Sequence, residues 1–342
     1  MEYQIIWFIL WAVLWAVYFM LDGIDFGVAM LQPFVAKNDA ERRVTLNSIG
    51  PVWDGNEVWL ITAGGATFAA FPTTYALMFS YLYTALLLIL FALIIRGVSL
   101  EFRGKSDSVS WKRGWDYAFV VGSFLPALLF GVAFGNIFRG LPMDATGYHG
   151  NLLSLLNPYG LLTGVLFVLL FVVHGGLYLS LRTRGDIRVR AQLLAFRLWF
   201  PLTAVAIIFL GTTAFATNLY DNYLKVPFLF VVPAVAVAAL LAVGHFANRA
   251  AYGKAFIASC ATIVMVTFTG VVGLFPNLIP SSIDPRYSLT IFNSSSSPYT
   301  LKIMTIVALI FVPFVIVYQI WTYRIFSERI SAEDVAKDEH AY

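Results

Sequence analysis

Apolar runs of about 20 residues recur along the whole of this 342-residue chain. A helix needs about that many residues to cross the hydrocarbon core of a bilayer. Hydrophobic residues make up 60% of the chain and charged residues only 12%, and the mean hydropathy is +0.79. The sequence therefore predicts an all-α integral membrane protein that forms a single polytopic domain over residues 1–342.

Nine transmembrane helices are predicted from these runs. The second is the least apolar, so hydropathy alone could miss it. The first run is too long for a signal peptide and has no basic residue before it, so we interpret it as a helix of the mature protein. The predicted spans are 5–27, 49–71, 75–97, 117–138, 159–181, 199–219, 227–247, 256–279 and 303–325.

Lysine and arginine are distributed unevenly between the two sets of connecting segments. One set holds eighteen of the 22 basic residues: 31–48, 96–116, 182–198, 248–255 and the tail from Arg324. Because basic loops stay on the cytoplasmic side, the N-terminus is predicted outside and the C-terminus inside. The membrane spans themselves are expected to hold no further basic residue. The net charge of +3 is too small and scattered for nucleic-acid binding.

Four carboxyl groups fall in or near the first two spans. Asp22 and Asp25 come near the end of the first span, and Asp54 and Glu57 lie in the first turns of the second. Each pair has a spacing of three residues, which places its members on one helix face. Acids inside a membrane are costly and usually functional, and a carboxyl deprived of water can exchange protons near neutral pH. We therefore predict one hydrated site, open to the cytoplasm, at which four acids handle protons.

Neighbouring residues of the second span are expected to support this site. Asn56 adds hydrogen-bonding groups, and Trp53 an aromatic wall. Gly64 and Gly65 make the outer half of the helix thin, which allows close approach of another helix. A simpler interpretation stays open for the acids near helix ends, which could reach the interface or pair with the arginines at positions 42 and 43.

The histidines argue against a haem held by this chain alone. Membrane electron carriers hold haem through paired His or His and Met ligands on facing helices. Of the four histidines only His174 lies well inside a predicted span; His149 is in an outer loop, His245 is at a helix end and His340 is in the tail. A lone buried histidine more often hydrogen-bonds a neighbouring helix. The single cysteine, Cys260, allows no disulfide or thiolate metal site within the chain, so no metal site is predicted.

Several motifs resemble those of one family, subunit II of the cytochrome bd-type quinol oxidases. The resemblance runs along the whole chain, and the block around Trp53 is long enough to be highly specific. The motifs are Asp22-Gly-Ile-Asp-Phe-Gly27, Glu41-Arg-Arg43, Asn47-Ser-Ile-Gly-Pro-Val-Trp-Asp-Gly-Asn-Glu-Val-Trp-Leu-Ile-Thr-Ala-Gly-Gly-Ala66, Gly131-Val-Ala-Phe-Gly-Asn136, Leu156-Asn-Pro-Tyr-Gly-Leu161 and Phe275-Pro-Asn-Leu-Ile-Pro-Ser-Ser282.

This resemblance implies an enzyme complex of the bacterial-type cytoplasmic membrane that oxidises a membrane quinol and reduces dioxygen to water. It implies nine helices, in two four-helix bundles plus one extra helix. Two haems b, the haem d and the quinol site would lie on a partner, subunit I, so this chain would carry no catalytic residue and no redox cofactor. A structural quinone and a small single-helix accessory subunit occur in some complexes of the family.

The resemblance also assigns a proton route from the cytoplasm to Asp54, with Asp22 and Asp25 as neighbours. Family members differ at the position of Glu57, so its role is assigned only from its place beside the other acids. Two other functions remain possible from the residues alone. A proton-coupled secondary transporter would suit acids and prolines in spans but predicts an internal repeat, and none is evident. A structural scaffold would leave the acids without a task.

Overall fold

The computed structural model describes residues 2–337, and the chain is mostly helical within that range. The α-helices are α1 (Glu2–Val35), α2 (Asp39–Ile49), α3 (Trp53–Ala70), α4 (Pro72–Tyr81), α5 (Tyr83–Phe102), α6 (Val109–Arg139), α7 (Pro158–Arg182), α8 (Gly185–Ala216), α9 (Tyr220–Lys225), α10 (Val231–Asn248), α11 (Tyr252–Leu274), α12 (Pro298–Ile325) and α13 (Ala332–Lys337). The strands are β1 (Met143–Asp144), β2 (Gly147–Tyr148), β3 (Asn277–Ile279) and β4 (Leu289–Thr290).

Eight of the described helices are long and apolar enough to cross a membrane: α1, α5, α6, α7, α8, α10, α11 and α12. The helix α3 is not among them, because its 18 residues include two acids in the first turns. This is the span that the sequence identifies as the least apolar. The structure thus supports a multi-pass membrane protein, and the count of nine spans stays a prediction.

The first helix is longer than predicted. It runs to Val35 rather than residue 27, because the residues after Gly27 remain apolar and buried as far as Leu31. Asp22 and Asp25 therefore lie inside a continuous helix, and both side chains are completely buried. They lie ten or more residues before the end of the helix, and their position relative to the membrane boundary stays a prediction.

The second and third predicted spans are each broken. Residues 49–71 include the end of α2, a turn at Gly50 and Pro51, and then α3, which begins only at Trp53. Asn38 caps α2 by accepting a hydrogen bond from the backbone N–H of Glu41. Residues 75–97 fall on α4 and α5, which are separated at Leu82.

The other spans differ from prediction mainly at their ends. The helices α6 and α8 begin earlier than predicted, at Val109 and Gly185. The predicted span 256–279 ends too late, because residues 277–279 form the strand β3 instead of helix. That strand pairs antiparallel with β4, with Asn277 opposite Thr290, while β1 pairs with β2 in a second hairpin.

The helix α7 is central to the fold and packs against α1, α6, α8 and α11. Its crossing with α1 brings the two backbones together at glycines. A Cβ added to Gly27 would lie 1.9 Å from the carbonyl oxygen of Phe171, and one added to Gly175 would lie 2.5 Å from the carbonyl carbon of Gly27. Only glycine fits such a crossing. Gly23 faces the ring of Phe171 in the same way, so these two glycines allow α1 and α7 to pack closely.

Aromatic rings fill the space between α1, α6 and α7. The ring centroids of Phe19 and Phe167 are 5.0 Å apart, and those of Trp15 and Phe134 are 5.3 Å apart. Both pairs meet edge to face, the arrangement that aromatic rings prefer. This packing fixes the position of the helix that carries Asp22 and Asp25.

The tail after α12 returns across the end of the bundle. The backbone N–H of Ile330 donates to the carbonyl of Arg182 at 2.8 Å, and the N–H of Arg184 donates to the carbonyl of Ile330 at 3.1 Å. The helix α13 then packs against α2. Residues 332–337 form this short helix, and His340 lies outside the described residues.

Candidate functional site

A buried ion-pair cluster joins α1, α3 and α5. The guanidinium of Arg96 lies 2.8 Å from the Asp22 carboxylate and also donates a hydrogen bond to Glu57. Arg96 and Asp22 are completely buried, whereas Glu57 is about a quarter exposed at its side chain. The guanidinium also lies over the ring of Phe26, 4.5 Å from its centroid. One cation is thus shared by acids from two helices.

Asp25 joins this cluster through a neutral neighbour. The amide nitrogen of Asn56 donates to the Asp25 carboxylate at 2.8 Å, and both side chains are completely buried. Asp25 also interacts electrostatically with Arg96. Three carboxyls therefore share one guanidinium, so the cluster has more acids than cations and can take up protons.

The cluster has hydrogen-bonding capacity that the protein does not use. Within residues 2–337, the Nε and Nη1 of the buried Arg96 guanidinium have no hydrogen-bond partner in the protein. Most buried polar groups in proteins are paired, either with protein or with ordered water.

Asp54 does not join the other three acids. Its side chain is exposed on the surface of the chain, although its charge still acts on Glu57. Val58, Ile61 and Phe68 continue the same exposed face of α3, with exposures of 48%, 73% and 60%. The structure therefore brings Asp22, Asp25 and Glu57 together and places Asp54 on an outward face beside them.

Of the residues predicted to support the site, two contact other helices that the structure describes and two do not. Asn56 is part of the cluster, and Trp53 packs against α5, where a Cβ on Gly97 would lie 3.3 Å from the indole. Gly64 and Gly65 have no atom within 4 Å of an added Cβ, so no helix of the described chain approaches them closely. Their predicted role in close packing is not fulfilled by the helices within residues 2–337.

Arg96 is the functional residue that the sequence reasoning missed. It was counted with a cytoplasmic loop, so the expectation that the spans hold no basic residue is wrong. The signal was present: Arg96 has apolar residues on both sides, and hydropathy stays high as far as Leu100. An arginine inside such a run needs an acidic partner, and Asp22 and Glu57 were the candidates.

The arginine at position 42, offered as an alternative partner for the acids, is paired elsewhere. It lies 3.2 Å from Asp116, which also binds Arg103 at 2.6 Å. Arg103 in turn binds Asp39 at 2.7 Å. Burial raises the pKa of Asp39, but the hydrogen bond and charge of Arg103 outweigh it and hold that pKa below its usual value. These residues link α2, the short turn after α5, and α6 at one end of the bundle.

His174 connects three helices. One ring nitrogen lies 2.9 Å from the Ser259 hydroxyl on α11 and the other 2.9 Å from the Met20 carbonyl on α1, and the ring stacks on Phe256. Both nitrogens are therefore occupied, which agrees with the expected hydrogen-bonding role. Within the described residues, no group of three or more His, Cys, Asp or Glu could hold a metal ion. The absence of a haem on this chain stays a prediction.

A cavity of about 610 Å³ lies beside the cluster, between α1, α3 and α12. Its walls are almost entirely apolar, and Trp59 and Thr62 line it on the α3 side. Polar side chains line one end, at Gln319, Tyr323 and Arg324. This volume lies within the range of small-molecule sites in proteins.

Comparison with known proteins gives one consistent result. The family model for cytochrome bd terminal oxidase subunit II matches residues 3–326. Cytochrome bd ubiquinol oxidase subunit 2 of Bacillus subtilis is 40% identical, over 92% of this chain and 93% of its own length. Cytochrome bd-I ubiquinol oxidase subunit 2 of Escherichia coli K12 is 36% identical, over 100% of this chain and 99% of its own.

A solved structure supports the fold. A chain in the structure of bd oxidase from Geobacillus thermodenitrificans superposes with a TM-score of 0.77, over 95% of this chain and 99% of that chain, at 17% identity. At that identity the likeness concerns the fold alone. The family model and the curated relatives cover almost the whole chain, so the chain belongs to the cytochrome bd terminal oxidase subunit II family.

Proposed function

We propose that this chain is the haem-free subunit II of a cytochrome bd-type quinol oxidase, a complex that oxidises a membrane quinol and reduces dioxygen to water. The family match over residues 3–326 carries this proposal. The partner, subunit I, holds two haems b, the haem d and the quinol site, and a small single-helix subunit can accompany the pair. The family match also favours an oxidase over the transporter and scaffold alternatives.

In this proposal the chain is a single polytopic domain of nine spans in the bacterial cytoplasmic membrane. The helix α3 is the ninth span, despite its acids. Two four-helix bundles and one peripheral helix are expected, and α12 suits the peripheral position because only Leu301 is buried along it. The N-terminus is outside and the C-terminus cytoplasmic, as the basic loops predict. The network of Arg103 and Asp116 lies among those loops.

The chain admits cytoplasmic protons through its acids. Asp22, Asp25 and Glu57 form a buried proton reservoir, and Asp54 passes protons to the partner chain. A carboxyl on a membrane helix is costly when it faces lipid, so the exposed face of α3 that carries Asp54 is expected to contact subunit I. Because these protons come from inside and those of the quinol are released outside, turnover contributes to the proton motive force.

The variant Asp54→Asn in the purified complex tests this route. We expect oxygen reduction to fall by about a hundredfold, the lower end of the range for a lost proton-transfer group. Subunit assembly and haem content should stay normal, because Asp54 has an exposed side chain and its amide isostere keeps the shape. The measurement is oxygen consumption with a quinol donor, beside a visible spectrum.

Asp107→Asn is the matched control, since Asp107 is fully exposed in the loop before α6. Its turnover should equal that of the wild type. Wild-type turnover of Asp54→Asn would remove the proposed role of this residue. A purified complex without a haem d band would contradict the oxidase assignment itself.

The cavity between α1, α3 and α12 is where a structural quinone would fit. Its apolar walls suit an isoprenoid tail, and Gln319 at its polar end has a second N–H that can donate a hydrogen bond to a quinone ring. The chain's contribution is to bind and orient such a molecule.

Ala308→Phe should lower the quinone content of the purified complex, because Ala308 lines the cavity and the larger ring would fill part of it. The matched control is Leu309→Phe, since Leu309 is 72% exposed and does not line the cavity. The measurement is quinone per haem after solvent extraction. Equal quinone content in the two variants would argue against this site.

A further inference from the structure

Four hydrogen bonds involve the side chain of Asn56, and its partners come from two helices. On the donor side, the amide nitrogen donates to Asp25 at 2.8 Å and to the carbonyl of Leu21 at 3.4 Å. On the acceptor side, the amide oxygen accepts from Gln319 and from the Tyr323 hydroxyl, each at 3.0 Å. An amide has two N–H donors and an oxygen with two lone pairs, so the hydrogen-bonding capacity of Asn56 is filled.

The two donors from α12 hold the amide oxygen and so reinforce the orientation that Asp25 and the Leu21 carbonyl also favour. Because Gln319 and Tyr323 both donate to the oxygen, the NH₂ group of Asn56 must point at Asp25. Without them, rotation of the amide by half a turn would bring an oxygen toward the carboxylate instead. An oxygen there would repel the ionised acid, whereas the NH₂ group stabilises it.

The helix α12 is otherwise loosely attached to the rest of the chain. Near its outer end, the indole of Trp7 donates to the Leu301 carbonyl at 3.1 Å and to Thr305 at 3.0 Å. Along its middle, the cavity of about 610 Å³ separates it from α1 and α3. The contacts of Gln319 and Tyr323 with Asn56 are therefore its polar link to the buried acids.

We propose that Gln319 and Tyr323 are positioning residues, which act through Asn56 to set the pH at which Asp25 takes up a proton. This inference rests on the proposed proton-handling function. It assigns a task to the peripheral helix: α12 tunes the acid cluster without contributing a carboxyl to it. Movement of α12 away from α3 would release Asn56 and change the proton affinity of the reservoir.

Other charged and titratable groups around Asp25 stay in place when α12 is altered. Their contributions are common to the wild type and the variants, so a change can be attributed to the amide. These groups are Tyr18 and Asp22 on α1, Glu57 on α3, Arg96 on α5 and Tyr178 on α7.

The test uses the double variant Gln319→Leu/Tyr323→Phe in the whole complex, with Tyr323→Phe alone as the milder change. The protonated-carboxyl infrared band of Asp25, identified by its loss in Asp25→Asn, is followed against pH. We expect its midpoint to move to higher pH by about one unit in the double variant, since a hydrogen bond to a charged group is worth that much or more. The pH profile of oxygen consumption should move the same way.

The matched control is Tyr318→Phe, because Tyr318 is on the same helix and is 61% exposed. It should leave both the band and the profile unchanged, and haem content should be normal in every variant. A double variant whose Asp25 band titrates as in the wild type would overturn the inference. This outcome is distinct from failure of the proposed proton route, which would appear as wild-type turnover of Asp54→Asn while the band still shifts.

Discussion

Arg96→Met is expected to prevent the accumulation of folded complex. Its guanidinium is completely buried and lies between Asp22 and Glu57 on two other helices. Removing one partner of a buried ion pair leaves an uncompensated charge, which costs about 3–5 kcal/mol. That is a large fraction of the stability of a typical protein. The measurement is the amount of haem-containing complex recovered from membranes, together with its thermal inactivation temperature.

Two comparisons separate loss of the ion pair from loss of an arginine. Arg249→Met should behave as the wild type, because Arg249 is exposed at the end of α10 and has no side-chain partner within residues 2–337. Arg96→Met introduced into an Asp22→Asn background should cost less than Arg96→Met alone, because the amide removes one unpaired charge. Equal recovery of Arg96→Met and wild type would show that the pairing contributes nothing to stability.

Gly27→Ala is also expected to reduce the amount of folded complex. The new methyl group would lie 1.9 Å from the backbone oxygen of Phe171, a distance that requires α1 and α7 to move apart. Overpacking that forces side chains off their rotamers and shifts the backbone costs about 1–3 kcal/mol, and occasionally more. The acid cluster is carried by the same helix, so its geometry should be lost together with the crossing. Recovery of assembled complex and its thermal stability again give the measurement.

Gly211→Ala is the control for this variant. It lies in α8, where no atom comes within 4 Å of an added Cβ. Alanine is a better helix former than glycine by about 1 kcal/mol, so this change should be neutral or slightly stabilising. A Gly27→Ala complex as stable as the Gly211→Ala complex would contradict the close crossing.

The sequence predicted which helix segments carry acids, but not which way each acid points. Asp54 and Glu57 are three residues apart and were expected to share one face. In the structure Glu57 pairs with Arg96, whereas Asp54 is exposed. Residues at this spacing differ by about 60° around a helix axis, so packing decides whether a pair straddles the edge of a buried face. The rotation of α3 against α1 is a tertiary property.

The hydrogen bonds from α12 to Asn56 could not be predicted from the sequence, for a different reason. Gln319 and Asn56 are 263 positions apart, and nothing in either local pattern indicates the other. An amide inside an apolar run shows only that some partner is needed. Which partner it finds depends on the arrangement of helices that lie far apart along the chain.

The sequence was sufficient to determine the class of fold, the approximate helix segments and the presence of costly acids on α1 and α3. These are local properties, because the hydropathy and charge of a segment determine whether that segment can cross a bilayer. The tertiary structure alone decided that Arg96 pairs with Asp22, that Asp54 is exposed on an outward face and that α12 holds Asn56. Each of these depends on the rotation and crossing of helices, which side-chain packing sets and which no single segment specifies.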